Sequence, residues 1–152
     1  MSDASSMIKV AINNQQTAYK VDRAQLKEGV RRVLSGEGID AAVISLAVVD
    51  DATMHGLNRQ YLQHDYPTDV LSFLLEEDDD SIEGEIIISA DYAAREAEHF
   101  SWKVQDEMLL YVIHGTLHLA GYDDLEPELK TEMREKEREY LKMFGLEPQY
   151  DE

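Results

Sequence analysis

Cysteine is absent from the 152-residue chain, and so is any long apolar run. Without cysteine the chain has no disulfide framework and no thiolate ligand for a metal, which fits a reducing cytoplasm. No apolar stretch reaches the roughly 20 residues of a membrane-spanning helix. Residues 1–6 lack the charged and apolar regions of a signal peptide. We therefore expect one cytoplasmic domain over residues 1–152, without membrane contact.

Positive charge is also scarce, because 14 lysine and arginine residues accompany 32 aspartate and glutamate residues, for a net charge of −18. Such a charge repels nucleic acid, so DNA is not expected as a partner. The charge is uneven: residues 1–75 hold 9 acids and 7 bases, whereas residues 76–152 hold 23 acids and 7 bases. Any RNA-binding surface is therefore expected on a local face built from the first half.

A stripe of bases in the first half is the candidate for such a face. Arg23, Lys27 and Arg31 are four residues apart in a segment with helical periodicity, so they would share one side of a helix. The stripe could contact RNA phosphates, or it could be the solvated side of an ordinary surface helix.

Apolar periodicity predicts an α+β fold with about four short strands and about five helices. Strands are predicted at residues 7–12, 43–49, 70–75 and 85–89. Helices are predicted over residues 22–34, 52–63, 90–99, 103–120 and 127–144. The acidic run 76–80 is expected to be a loop, and residues 148–152 a frayed end. The apolar stripe of the last helix is expected to contain Leu129, Met133, Tyr140, Leu141 and Phe144.

The stretch from His114 to Asp124 contains the residues best suited to chemistry. An apolar run leads into it, so a buried helix is expected to hold its start. His114 and His118 then lie on one helical face, as two imidazoles do when they share a metal ion. Gly121 suits the end of the helix, and the turn after it could bring Asp123 or Asp124 back. Two histidines and one carboxylate would leave one position of a zinc ion open, which is typical of catalytic sites.

Three sequence blocks occur in order: residues 57–73, residues 84–86, and His114–Asp124. The first contains Asp-Tyr-Pro-Thr-Asp-Val-Leu-Ser-Phe at residues 65–73, and the second reads Gly-Glu-Ile. The third reads His-Gly-Thr-Leu-His-Leu-Ala-Gly-Tyr-Asp-Asp. Together they resemble the signatures of the YbeY family of bacterial endoribonucleases, whose third block is His-Gly-x-Leu-His-Leu-x-Gly-Tyr-Asp-His.

The resemblance implies a small mixed sheet packed by helices around a central helix with the site histidines. It implies a zinc-dependent endoribonuclease in ribosomal RNA processing, acting in 16S rRNA 3′-end maturation and ribosome quality control, with the small ribosomal subunit as partner. Three family histidines bind zinc, which implies one Zn²⁺ per chain at His114, His118 and Asp124. Two positions depart from the family. Asp124 replaces the third histidine, and Leu62 replaces an arginine thought to be catalytic.

Arg59 is the candidate to take over from the missing arginine. It lies three residues before Leu62 and nearly on the same helical face. With His114 and His118 it completes the expected catalytic set. His55 and His64 are weaker candidates, and both could instead be ordinary helix or loop residues.

Two residues that precede His114 fall on the same helical face. Glu107 and Tyr111 lie one to two turns earlier, so either could accept or donate a hydrogen bond that orients a ligating imidazole. They could equally be an exposed acid and a core aromatic residue.

Other functions stay open from the residues alone. The histidine pair could be two ordinary buried or surface residues. A metal-binding, ribosome-associated protein with little or no activity would also explain Asp124, Leu62 and the net charge. A metallopeptidase would need glutamate directly after the first histidine, where this chain has Gly115. The native metal, the scissile RNA bond and the oligomeric state are not determined by these patterns.

Overall fold

The computed structural model describes residues 7–62, 68–79 and 81–150. The strands in these ranges are β1 (Ile8–Asn14), β2 (Ala41–Val49), β3 (Val70–Glu77) and β4 (Ser81–Ser89). The helices are α1 (Arg23–Gly36), α2 (Asp51–Leu62), α3 (Ala90–Phe100), α4 (Val104–Leu119) and α5 (Pro127–Lys142). One mixed sheet has the order β1-β2-β4-β3, in which only β3 is antiparallel to its neighbour. The predicted α+β fold is confirmed.

Helix α4 lies across one face of the sheet and forms the centre of the core. Residues 108–113 are all buried, as expected for a helix with neighbours on every side. Alternation along β4 separates two apolar layers, because Ile86 and Ile88 pack in the main core with α4, whereas Ile87 packs in a smaller cluster under α2. The helices of the described ranges include none with both the length and the apolar character to cross a bilayer.

Local signals begin and end these helices where the sequence predicted. The Asp22 carboxylate caps α1 by accepting a hydrogen bond from the Gln25 backbone N–H at 3.1 Å. Asp50 accepts one from the Thr53 N–H at 2.8 Å at the start of α2. Gly121, just after α4, has a φ of 107°, a left-handed conformation that glycine adopts without strain.

Strands β3 and β4 extend further than predicted. Glu76 and Glu77, which we expected in an acidic loop, lie in β3 and pair with Glu83 and Ile82 of β4. The loop prediction was wrong at these two residues, because backbone pairing satisfies the peptide groups of an edge strand while its charged side chains stay exposed in water. Asp78 and Asp79 lie between the two strands, as predicted. Residue 80 lies outside the described residues.

Helix α5 presents a carboxylate to the core. Met133, Tyr140 and Leu141 are buried as predicted, but Glu137 lies among them with no exposed surface. Leu129 was wrongly placed in the core, since 37% of its surface is exposed. It belongs to the first turn of α5, and the buried face of this helix begins only at Met133.

Residues 148–150 are not the frayed end that we expected. Pro148 is buried, and the Tyr150 hydroxyl donates a hydrogen bond to Oε1 of Glu137 at 2.6 Å. The Arg134 guanidinium stacks on the Tyr150 ring, 3.8 Å from its centroid. These contacts attach the segment to α5, and the local sequence gives no sign of them. Residues 151–152 lie outside the described residues.

Gly115 allows α4 to lie close to the sheet. A Cβ atom at this position would lie 2.9 Å from both Ile86 Cγ2 and Ser72 Oγ, and 3.3 Å from Val70 Cγ2. The Ser72 hydroxyl donates a hydrogen bond to the Gly115 carbonyl at 3.2 Å. Close approach of sheet side chains therefore explains a glycine inside this helix.

Gly115→Ala should lower the melting temperature, because the added methyl group must displace Ile86 or Ser72. Such overpacking costs about 1–3 kcal/mol, against the roughly 1 kcal/mol that alanine gains over glycine in a helix. Gly56→Ala is the matched control, since it lies in α2 with nothing within 4 Å of the added atom, and it should raise the melting temperature. Thermal unfolding measures both, and a Gly115→Ala protein as stable as the parent would contradict close packing here.

Candidate metal centre

The last turns of α4 and the turn after it bring three side chains together. His114 and His118 are one helical turn apart, with their Nε2 atoms 3.1 Å from each other. The Asp124 carboxylate lies 3.6 Å from His114 Nε2 and 3.7 Å from His118 Nε2. Among the described residues, these three form a group that could hold a metal ion.

Each imidazole is oriented by an acceptor on its other nitrogen. His114 Nδ1 lies 2.6 Å from Oε2 of Glu137, and His118 Nδ1 lies 3.1 Å from the carbonyl oxygen of Tyr122. A carboxylate and a carbonyl can only accept, so both neutral imidazoles have their hydrogen on Nδ1. The two Nε2 lone pairs therefore point at each other, beside the Asp124 carboxylate.

This donor set fits a metal ion. Two facing lone pairs 3.1 Å apart repel each other unless a cation or a proton lies between them. Ligand atoms about 2.0–2.1 Å from a tetrahedral zinc lie about 3.3 Å from one another. The separations of 3.1, 3.6 and 3.7 Å among the two Nε2 atoms and Asp124 oxygens are close to that value. Asp124 is 36% exposed, so one side of the site stays open to solvent.

The pKa values of the two histidines are shifted in opposite directions. Burial works against protonation of both, but the hydrogen bond and charge of Glu137 outweigh it and raise the pKa of His114. Burial, together with the neighbouring His114, lowers the pKa of His118. Of the two imidazoles, His114 is therefore the one with the higher affinity for a proton.

Asp123, the alternative ligand, makes hydrogen bonds within the turn that follows α4. Its Oδ1 accepts hydrogen bonds from the backbone N–H groups of Asp124 at 2.7 Å and Leu125 at 3.1 Å. It fixes the turn that places Asp124, and the metal-compatible group contains Asp124 instead.

Glu137 is the site residue that sequence reasoning missed. Only 1% of its side chain is exposed, and it accepts hydrogen bonds from His114, from Tyr150 and from Arg134, whose Nη1 lies 3.3 Å from Oε1. Burial would raise the pKa of Glu137, but these partners lower it overall. One feature of the sequence could have revealed it: Glu137 lies four residues after Met133, so it falls on the apolar stripe of α5, where an acid needs a buried partner.

A cleft of about 420 Å³ adjoins the metal-compatible group. It lies along α4 between α3 on one side and α5 with the C-terminal segment on the other. Glu107 and Tyr111 both line it. Glu107 is 3% exposed, so it is not the exposed acid considered from sequence, whereas Tyr111 is 4% exposed and is buried as a core aromatic residue would be. The partner that orients His114 is Glu137, not either of them. The charged and aromatic residues that also line the cleft include Asp69, Tyr92, Glu96, Phe100, Lys130, Arg134 and Tyr150.

The remaining candidates lie elsewhere. Arg59 is on the exposed side of α2, which packs on the sheet face opposite α4, and it is not among the described residues that line the cleft. Its catalytic role stays a prediction. His55 lies on the same helix, and His64 falls outside the described residues. The side chain of Leu62, at the end of α2, is 43% exposed.

The stripe of bases on α1 is separate from the cleft. Arg23 Nη1 donates a hydrogen bond to the carbonyl of Ile12 at 3.0 Å, and within the described residues the cleft lining includes neither Lys27 nor Arg31. The role of the stripe in RNA binding stays a prediction.

Glu107 should make the stability of the fold depend on pH. Burial raises the pKa of Glu107 from 4.5 to about 7, although the Trp102 side-chain N–H donates a hydrogen bond to it at 2.8 Å. A carboxyl group whose pKa rises on folding contributes its full stability below the unfolded value of 4.5 and loses it as the pH rises through about 7.

Glu107→Gln should remove this dependence. The variant should match the parent near pH 4 and exceed its free energy of unfolding near pH 9 by on the order of 1–3 kcal/mol. Chemical denaturation at the two pH values measures the difference. Glu98→Gln, an exposed glutamate of α3, is the matched control and should leave it unchanged. The same difference between parent and Glu107→Gln at both pH values would contradict a buried, proton-binding carboxyl group.

Comparisons with known proteins agree with the three sequence blocks. A family model described as Endoribonuclease YbeY matches residues 11–145. Curated proteins of that name include one from Rhodopirellula baltica, 41% identical over 82% of this chain and 66% of its own length. Another, from Carboxydothermus hydrogenoformans, is 41% identical over 90% of this chain and 97% of its own. A solution structure from Thermotoga maritima, 32% identical, matches 90% of this chain and 87% of its own with a TM-score of 0.63.

The three blocks also meet in space around α4. Ser72 of the first block bonds to Gly115 of the third, and a Cβ on Gly84 of the second would lie 2.7 Å from Leu119 Cδ1. Asp69 of the first block lines the cleft beside His114. The family model covers most of the chain, and the Carboxydothermus relative matches over nearly its whole length. The chain therefore belongs to the YbeY family of endoribonucleases.

Proposed function

We propose that the protein is a metal-dependent endoribonuclease that cleaves single-stranded ribosomal RNA, with one zinc ion held by His114, His118 and Asp124. The observation that supports this most directly is the pair of Nε2 lone pairs that face each other 3.1 Å apart beside a carboxylate. A cation between them would remove that repulsion. Family membership supplies the reaction class, since the relatives are named endoribonucleases.

A bound metal would lower the pKa of its water ligand from about 16 towards about 7, and it would also polarise a phosphoryl oxygen. The residues of the chain prepare that chemistry. Glu137 and the Tyr122 carbonyl keep each imidazole in the tautomer that presents Nε2 to the site. Asp124 adds a negative charge where the family has a neutral histidine, so activation of the water is expected to be weaker.

A phosphodiester reaction also needs positive charge for the developing oxyanion. Arg59 is our candidate, because it lies on α2 three residues before Leu62, where the family has its arginine. The chain joining α2 to the cleft residue Asp69 passes through residues 63–67, outside the described part, so this assignment rests on sequence spacing. Slow catalysis is expected with leucine at position 62.

Family resemblance also supports the finer assignments. They are 16S rRNA 3′-end maturation, ribosome quality control, a small-ribosomal-subunit partner and a cytoplasmic location. Peptide hydrolysis is disfavoured, because Gly115 occupies the position of the zinc-protease glutamate and faces Ile86 and Ser72 of the sheet.

Glu137→Gln should weaken zinc binding by about 10–100-fold, because the charge that fixes the His114 tautomer is lost. Competition with a chromophoric chelator measures the affinity without any activity assay. Glu135→Gln, an exposed glutamate of the same helix, is the matched control and should bind zinc like the parent. Equal affinities of all three proteins would show that the Glu137 bond does not support a metal site.

The parent should cleave a labelled 3′-terminal fragment of 16S rRNA slowly and only with added metal, whereas His114→Ala should not cleave it. Leu62→Arg should raise the rate, by up to about 100-fold, because it restores a positive charge towards the phosphoryl group. Leu62 is half-exposed, so the longer side chain can be accommodated.

Cleavage by His114→Ala as fast as by the parent would assign the activity to a contaminating nuclease. A metal-binding protein with little or no activity would then be the better description. An unchanged rate for Leu62→Arg would contradict the idea that position 62 faces the reacting phosphate.

A further inference from the structure

The cleft beside the metal-compatible group has the size and lining of a small-molecule site. Its volume of about 420 Å³ lies within the roughly 300–1,000 Å³ of ordinary ligand pockets. Aromatic side chains contribute from two helices, with Tyr92 and Phe100 on α3 and Tyr111 on α4, whereas the Tyr150 ring is already stacked by Arg134. Flat apolar walls of this kind are what unstacked nucleobases bind in single-strand recognition.

The deepest part of the cleft contains one hydrogen-bond acceptor and one donor side by side. Glu107 is 3% exposed, and its Oε1 accepts from Trp102, which leaves Oε2 for another partner. Tyr111 is 4% exposed, and within the described residues its buried hydroxyl meets no partner at hydrogen-bond geometry, although it lies beside Glu107. A buried hydroxyl without a partner is costly, so a ligand that bonds to it gains affinity.

The charges that line the cleft determine which part of a nucleotide can bind beside Glu107 and Tyr111. The cleft contains only two basic side chains other than histidine among its described lining residues, Lys130 and Arg134, four residues apart on α5. The acids in the lining are Asp69, Glu96, Glu107, Asp124 and Glu137. A phosphate would be repelled from the Glu107 end, whereas it can contact Lys130 and Arg134. A neutral base is the part that suits Glu107 and Tyr111.

We propose that this cleft is a subsite for one unpaired nucleobase of single-stranded RNA, next to the scissile bond, with the Watson–Crick edge of the base against Glu107 and Tyr111. The proposal rests on the proposed endoribonuclease function. Every base offers an adjacent N–H and acceptor on that edge: N4–H and N3 in cytosine, N6–H and N1 in adenine, N3–H and O4 in uracil, and N1–H and O6 in guanine. Glu107 accepts from the first group and Tyr111 donates to the second.

Such a subsite reads the unpaired state of a nucleotide, not its identity. In a duplex the same edge is occupied by the partner base, so a paired nucleotide cannot enter. The Lys130 and Arg134 side chains would contact the phosphate of the nucleotide whose base is bound.

An abasic scan of the substrate tests this subsite in the zinc-loaded 152-residue chain. A labelled single-stranded RNA twelve nucleotides long is compared with copies that each lack one base near the cut. In the parent, one abasic position should weaken binding by about tenfold, the loss expected for one stacked and hydrogen-bonded base. Tyr111→Phe and Glu107→Gln should bind the intact RNA several-fold more weakly, and the same abasic copy should lose correspondingly less affinity in them than in the parent, because stacking remains while a hydrogen bond is lost.

Controls separate loss of the subsite from loss of structure. Tyr111→Phe deletes a hydroxyl without a partner, so its melting temperature should not fall below that of the parent. Tyr19→Phe and Glu98→Gln, which lie outside the cleft lining, should retain the affinity of the parent and its abasic dependence.

The outcomes distinguish this proposal from the nuclease assignment. If the parent cuts the RNA but no abasic position matters, or if Tyr111→Phe keeps the abasic dependence of the parent, the subsite is wrong and the endoribonuclease proposal stands. If the parent neither binds nor cuts the RNA, the proposed function fails and the subsite with it.

Discussion

The hydrogen bond between Glu137 and His114 is the interaction on which the site depends. A carboxylate buried to this degree is stable only with partners, and it has three, from α4, from its own helix and from the C-terminal segment. The same bond determines which nitrogen of His114 faces the metal-compatible group. One hydrogen bond therefore both packs α5 against α4 and orients the metal ligand, and removal of His114 leaves the buried Oε2 of Glu137 without this partner.

The family blocks act through geometry as much as through chemistry. Gly84 and Gly115 remove the side chains that would hold α4 away from the sheet, and Ser72 bonds to the helix backbone at the point of closest approach. This close packing positions the last turns of α4, and with them both histidines, at the end of the cleft. A signature that contains glycine beside histidine thus specifies the place of the ligands as well as their identity.

Sequence reasoning succeeded where the signal is local. The caps at Asp22 and Asp50, the turn at Gly121 and the shared face of His114 and His118 follow from helical periodicity and backbone preference. It failed where the partner is distant. The buried place of Glu137 depends on a histidine 23 residues away, and the order of residues 148–150 depends on α5. Backbone pairing between β3 and β4 likewise overrode the acidic character of Glu76 and Glu77.

The excess of acid limits how this chain can bind RNA. With Arg23 bonded to a backbone carbonyl, the basic residues of the cleft itself are Lys130 and Arg134, both in the half of the sequence with the greater negative charge. Two phosphate contacts give a shallow dependence of affinity on salt, because that slope scales with the number of phosphates neutralised. Under the proposed function, the binding free energy gained within the cleft must then come mostly from the metal and from base contacts. An acidic nuclease of this kind would reject duplex RNA, which offers phosphates but no free bases, and would accept single strands whose bases can enter the cleft.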